Sequence, residues 1–318
     1  MRKKSGLKKT PVFLVGCQRS GTTLLRLMLD HHPQLCWCGE FEYAVQMVNS
    51  PGRWPSVKEY TRWLKTHRIF LASGFVLDLQ LNYPSLVQSF LEQAQRRSSK
   101  PLIGATVHRY FDRLLHIWPN ARFIHLYRDP RDVARSWIQI GWGGTVHPGA
   151  ICWAKTEHLW DRLRSSLAGD RFIDVRYERL IEKPEETLTR LCEFLGVKYH
   201  KAMLSYPEKT TYGPPDISLV EQWRRKLAAR DIQLVEAFCG EMLLDRGYER
   251  SGLPPLAVNR ARLLVLALKD RWVGIEFKIR RFGLALALQD AIARRIGPRS
   301  WNERIKLRIN RIQTSYLK

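Results

Sequence analysis

The sequence predicts an α/β fold: a central parallel sheet flanked by helices, with a helical insertion and a basic helical C-terminal extension. Three observations lead there. Short runs of strand formers alternate with helical stretches along the first 200 or so residues. The first run ends in a glycine-containing turn that opens a helix. The charge is uneven, and a large part of it follows a Pro254-Pro255 break.

Val12-Phe13-Leu14-Val15 is a short apolar run ending at Gly16, the signature of a buried strand. After the turn, Thr22 to Asp30 carries apolar residues at helical spacing. Residues 40–100 read as mostly helical and rich in aromatics (Trp54, Trp63, Phe70, Phe75, Tyr83), an insertion over the sheet edge between the first two strand signals. Arg122 to Tyr127 is the next strand. Asp129 and Pro130 follow where a helix N-cap and first-turn proline belong. Arg171 to Val175 is the third strand signal. Pro184-Glu185-Glu186 then opens a helix with an acidic first turn, and Gly196 closes it. Residues 218–248 read as further helix. The expected division is an α/β domain over 1–252 and a basic helical extension over 253–318.

The 318-residue chain is 45% hydrophobic and 26% charged, as globular proteins are, but carries a formal net charge of +23. Such a field favours anionic partners without choosing among them. From Arg260 to Lys318 there are 15 Lys or Arg against 4 Asp or Glu, about half of the excess. No apolar run reaches the length of a transmembrane helix. Met1-Arg2-Lys3-Lys4, with Lys8 and Lys9, resembles the basic start of a signal peptide, but the apolar run after it is too short for one and reads as the first core strand. Six scattered cysteines form no disulfide or zinc framework. A reduced, cytoplasmic protein is expected, with peripheral membrane contact through residues 260–318 left open.

Gly16-Cys17-Gln18-Arg19-Ser20-Gly21-Thr22-Thr23 joins a strand to a helix, where backbone N–H groups and the helix N-terminus converge on an oxyanion. The spacing is that of a nucleotide-phosphate loop of the Walker A type, and the fold implied is P-loop NTPase-like. Thr22 stands where that loop has its lysine. A triphosphatase needs the lysine and a magnesium-holding acid; here Arg19 supplies the positive charge. A second element lies in Phe123 to Trp137. Arg128, at a strand end, can reach the crevice where parallel sheets bind ligands, and Ser136 follows about two helical turns on. Together they suit a terminal phosphate.

The segment Val15 to Arg26 resembles the 5′-phosphosulfate loop of sulfotransferases that use 3′-phosphoadenosine-5′-phosphosulfate (PAPS). Leu29-Asp30-His31-His32-Pro33 and Cys38-Gly39-Glu40 resemble the bacterial and tyrosylprotein branch of that family. The resemblance runs roughly from Pro11 to Gly247. It implies that Arg19, Ser20, Gly21, Thr22 and Thr23 hold the 5′ end of PAPS, that Arg128 and Ser136 hold its 3′-phosphate, and that the product is 3′,5′-adenosine bisphosphate. Tyr177, in Val175-Arg176-Tyr177-Glu178, lies beside the adenine by the same analogy, or is a plain core tyrosine. No metal is implied.

Sulfuryl transfer is an in-line displacement that needs positioning, charge neutralisation and a base for the acceptor proton. Arg19 serves the reacting sulfuryl group. The base is Glu40 or His108. Relatives place a glutamate just past the first helix, with Glu42 a small register error away. Other members carry a histidine in a Lys-Thr-His motif, of which only the histidine survives in Gly104-Ala105-Thr106-Val107-His108. Ser218 and the basic run Trp223-Arg224-Arg225-Lys226-Leu227 resemble a late loop that closes over the nucleotide, and read equally as a solvated helix face.

The acceptor, whether small molecule, carbohydrate, lipid or protein, is not named by any motif. The extension offers three readings: leucines packing on the domain or on a second subunit as a homodimer, a helix on an anionic membrane surface, or polyanion binding without specific nucleic-acid recognition. Two rival functions stand beside the transferase, a P-loop kinase or triphosphatase and a non-catalytic nucleotide- or polyanion-binding protein.

Overall fold

The computed structural model describes residues 10–49 and 52–315; the basic start Met1 to Lys9 lies outside the described residues. In chain order the elements are β1 (Val12–Val15), α1 (Thr22–Asp30), β2 (Leu35–Glu40), α2 (Val57–Leu64), α3 (Arg68–Ser73), α4 (Tyr83–Ser98), β3 (Leu102–Val107), β4 (Arg122–Tyr127), α5 (Pro130–Gln139), α6 (His147–Arg164), β5 (Phe172–Arg176), α7 (Tyr177–Glu182), α8 (Pro184–Leu195), α9 (Trp223–Lys226), α10 (Ala229–Cys239), α11 (Met242–Asp245), α12 (Arg260–Phe282), α13 (Leu284–Arg295) and α14 (Arg299–Ser315). The five strands form one sheet in the order β2-β3-β1-β4-β5, all parallel.

Alternation along β1 explains why that strand is apolar throughout. Phe13 and Val15 enter one core with Ile103, Val107, Phe123 and Trp160. Val12 and Leu14 enter the other with Leu25, Met28, Ile124 and Leu188. A central parallel strand is covered on both faces, so both side-chain sets must be hydrophobic. Each such fully buried aliphatic or aromatic side chain contributes roughly 1.5–3 kcal/mol.

The insertion is less purely helical than its composition suggests. The first two strand signals are separated by two further strands, β2 and β3, and β2 is the sheet edge. Leu35-Cys36-Trp37-Cys38-Gly39-Glu40 lacks regular alternation, so no period marks it as a strand. The helices α2 to α4 bring Tyr60, Phe70, Tyr83 and Phe90 into the first core, with Tyr60 and Tyr83 donating to the carbonyls of Tyr43 and Ala44. The third strand signal is displaced by one residue, to Phe172–Arg176.

Register decides where the site falls. Val15 pairs with Val107 on one side and His125 on the other, and Tyr127 pairs with Arg176. Gly16, His108, Arg128 and Tyr177 therefore all leave the sheet at its C-terminal edge. The chain goes from β1 outward to β2, then crosses from β3 past β1 to β4. That reversal opens a crevice at the end of β1, where open parallel sheets bind ligands.

Beyond an extended segment around Pro254-Pro255, α12 to α14 fold back on the body. Leu256, Val258 and Leu266 join the core formed by Trp153, Leu234 and Leu243. Leu286, Ala293, Ile305 and Ile309 make a small core of their own. No helix among the described residues is long and apolar enough to cross a membrane.

Candidate functional site

The turn between β1 and α1 is built by backbone constraints. Gly16 has φ +149° and Gly21 φ +95°, and between them Arg19 is left-handed at φ +75°. A Cβ on Gly16 would stand 2.1 Å from the Leu126 carbonyl oxygen, and one on Gly21 would stand 2.3 Å from the Tyr177 ring. Glycine is thus required twice, once for close packing on β4 and once for close packing on Tyr177. The Ser20 N–H closes the turn on the Cys17 carbonyl at 3.1 Å. Ser20 Oγ is buried and has no hydrogen-bond partner.

The second element is held by a buried network. Asp129 caps α5, accepting from the Arg131 N–H at 2.9 Å, and Pro130 begins the helix. Its carboxylate also takes two bonds from the Arg131 guanidinium, which reaches on to Glu236 at 2.9 Å. Arg131 is therefore committed to the scaffold, and Arg128 is the arginine that faces the crevice. Arg128 lies over the Tyr177 ring at 4.2 Å, contacts Asp132 at 3.4 Å and donates to the Leu219 carbonyl at 2.6 Å. Its Nε is buried with no partner.

These two elements meet. Arg19 Nε donates to Ser136 Oγ at 3.0 Å. A cavity of about 390 Å³ contains Arg19, Gly21, Thr22, Thr23, Arg128, Ser136 and Tyr177 in its walls. The expected nucleotide residues thus surround one space, except Ser20, which is buried in the turn and is not part of the wall. Burial, foremost, and the nearby Arg128 charge lower the Arg19 pKa, while Tyr212 and Tyr177 oppose them. The Arg19 and Arg128 guanidinium groups on one cavity, with the Ser136 hydroxyl beside them, suit a ligand with more than one anionic group.

Sequence reasoning missed two parts of this wall. Arg135 also lines the cavity. It lies one turn before Gln139, which shares that wall and accepts from Arg135 at 3.3 Å. The other part is the loop with Tyr212, Gly213, Pro214, Asp216 and Leu219. Its residues carry no phosphate-binding signature, and only folding brings them there. The late basic run lies beside this loop. The Trp223 N–H donates to Asp132 at 2.9 Å, whereas Arg224 is exposed and paired with Glu221 at 2.8 Å. The Ser218 hydroxyl donates to Asp216 at 2.8 Å.

The base candidates separate. His108 is buried at the end of β3, its Nδ1 3.0 Å from the Gly16 carbonyl oxygen. Glu40 is exposed at the end of β2 and lines a different cavity, with Trp37, Tyr43 and Phe75. The carboxylate beside His108 is that of Glu42. Glu42 is buried, its Oε1 accepts from the His108 N–H at 2.8 Å, and its Oε2 has no partner. Burial, foremost, and the nearby Glu40 raise the Glu42 pKa, against the His108 charge.

With this geometry in place, residues 11–201 match the model of the sulfotransferase family. The chain belongs to the sulfotransferase family. As a member it is a transferase whose reaction is sulfuryl transfer. A protein-tyrosine sulfotransferase of Drosophila melanogaster is 26% identical to this sulfotransferase over 211 residues, 62% of this chain but only 40% of that protein. Protein-tyrosine sulfotransferase 1 of Danio rerio is 26% identical over 279 residues, 77% of this chain and 74% of that one. The sulfotransferase domain of the Synechococcus PCC 7002 olefin synthase has the same fold, with TM-score 0.59 and 21% identity over 80% of this chain and 99% of its own.

Proposed function

We propose that this sulfotransferase takes its sulfuryl group from PAPS and passes it in line to an acceptor hydroxyl or amine, releasing 3′,5′-adenosine bisphosphate. The observation that carries this reading is the single cavity shared by the β1–α1 turn and the Arg128–Ser136 element. A nucleotide phosphorylated at both ends is the ligand class that uses both.

In this reading the backbone N–H groups of the turn and the Ser20 hydroxyl hold the 5′-phosphosulfate, with Thr22 and Thr23 at the start of α1. Arg128 and Ser136 hold the 3′-phosphate, and Arg135 adds charge there. Tyr177 packs beside the base. Arg19 spans the two ends through its bond to Ser136 and neutralises charge that builds on the bridging oxygen as the S–O bond breaks. The acceptor proton goes to a carboxylate or to His108. Glu42 is the better base than Glu40, because it is buried, has a free oxygen and touches His108. His108 then orients Glu42, or acts as the base itself. The relatives named for protein-tyrosine sulfation make a phenolic hydroxyl one acceptor to test, beside alcohols, carbohydrates and lipids.

Calorimetric titration tests the donor assignment. The reading expects tight binding of 3′,5′-adenosine bisphosphate and weak binding of ATP with magnesium. Preference for ATP with magnesium, or binding of neither, would favour a kinase-like or non-catalytic protein and end this proposal.

A further inference from the structure

The longest helix among the described residues, α12, has no fully buried residue. Its inward side is nevertheless fixed to the body. Asp270 accepts from the Gly144 N–H and the Thr145 hydroxyl, both at 2.9 Å. Val273 lies against Gly144, and Phe277 against Gly141. Leu266 packs into the core beneath. The loop these residues grip follows α5 directly, two residues after Gln139 in the wall of the nucleotide cavity.

The opposite side is apolar and bare. Leu264, Leu268, Trp272 and Ile275 recur every three or four residues and so share one stripe; they are 62%, 58%, 70% and 45% exposed. The next helix repeats the pattern with Leu284, Leu288 and Ile292, while its other face packs Leu286 and Ala293 on α14. Exposed cations border the first stripe: Arg260, Lys269, Arg271 and Lys278. A helix anchored on one face, apolar on the other and flanked by cations is built to lie on an anionic interface. Trp272, the most exposed of the four, is the residue type that favours the headgroup level.

We propose that the outward faces of α12 and α13 dock this protein on an anionic lipid surface. Charge selects this occupant over a second copy of the chain. Residues 260–318 carry 15 basic and 4 acidic side chains, so a copy seated on the stripe would bring the same excess positive charge, whereas acidic headgroups complement it. The helices lie on the surface and do not enter as a span, since none is apolar enough to cross. The inference is independent of the donor assignment.

Flotation of the full chain with vesicles tests it. The protein should float with vesicles of phosphatidylcholine mixed with phosphatidylglycerol, not with phosphatidylcholine alone, and high salt should release it. The double variant Leu268→Glu with Trp272→Glu should bind about tenfold less or weaker still. Both positions are exposed, so its melting temperature should match the parent. Arg271→Glu with Lys278→Glu keeps the stripe, reverses the charge and should lose the preference for the acidic vesicles. Absence of flotation with the acidic vesicles, equal flotation with phosphatidylcholine alone, or unchanged flotation of both double variants overturns the proposal. A lipid-free dimer that the Leu268→Glu, Trp272→Glu variant dissociates would assign the stripe to a second copy and also overturn it.

Discussion

Arg19 Nε donates to Ser136 Oγ at 3.0 Å, across 117 residues of sequence. That bond joins the turn between β1 and α1 to helix α5. Ser136 thus holds the Arg19 guanidinium in one orientation, and such fixing of a side chain lowers the ordering cost of binding. Arg19→Ala should weaken 3′,5′-adenosine bisphosphate binding by about 2 kcal/mol, roughly 30-fold, as for loss of a charged hydrogen bond. Ser136→Ala should cost about 1 kcal/mol. Because the two residues touch, the double variant should lose less than the sum, which calorimetric titration of all four proteins would read as a coupling.

The carboxylates of the insertion should divide by function. Glu42→Gln is expected to reduce kcat by about 10²–10⁴-fold, the usual contribution of a general base, with bisphosphate affinity unchanged. Glu40→Gln should stay within a few-fold of the parent. Since burial raises the Glu42 pKa, the acidic limb of the kcat profile should lie above the ordinary carboxylate range and disappear in Glu42→Gln. Equal losses in both variants would remove Glu42 from this role.

Gly21 is held twice over, by φ +95° and by the Tyr177 ring 2.3 Å from where a Cβ would stand. Gly21→Ala should destabilise the fold by about 1–3 kcal/mol, as strained backbone positions do. Adding Tyr177→Ala removes the collision and leaves the strain, so the melting temperature should recover only in part. Full recovery would mean that φ carries no cost here.

A charge cluster on β4, β5 and α6 sets a pH dependence for stability. His125 lies 2.9 Å from Asp174 and 3.3 Å from Glu157, and Glu157 also pairs with Arg246 at 2.6 Å. Burial disfavours the His125 charge, but Glu157 and Asp174 outweigh it and raise its pKa above 6.5. Burial likewise opposes the charges of Glu157 and Asp174, and His125 leads the groups that lower both pKa values. The histidine contribution is complete below pH about 6.5 and fades as pH rises through its raised folded value. The carboxylate contributions are complete above pH about 4 and fade as pH falls through their lowered values. Denaturant midpoints should therefore peak between about pH 4.5 and 6.5. His125→Gln should flatten the alkaline limb; an unchanged limb would locate its origin elsewhere.

What could be read from the chain depended on how local the signal was. The turn after β1 was legible because a turn, a helix start and their glycines are adjacent in sequence, and the bounds of β1 and α1 match the structure. Asp129 and Pro130 at the start of α5 were legible for the same reason. Strand β2 was not, because an edge strand reading Leu-Cys-Trp-Cys-Gly-Glu follows neither period. Glu42 stands out in the sequence only as a near neighbour of Glu40. Its burial beside His108 depends on the fold of β3, more than sixty residues on, which no local pattern encodes. The Tyr212–Leu219 wall of the cavity has the same origin, since Arg128 reaches the Leu219 carbonyl only through the tertiary fold.

The most direct test of the central claim is calorimetric titration with 3′,5′-adenosine bisphosphate beside 3′-AMP and 5′-AMP. If one nucleotide bridges the turn at Gly16–Thr23 and the Arg128–Ser136 element, the bisphosphate should bind at least about tenfold more tightly than either monophosphate, with Arg128→Ala removing most of its advantage over 5′-AMP. Equal affinity for the bisphosphate and 5′-AMP would contradict the account, because Arg128 and Ser136 would then hold no phosphate.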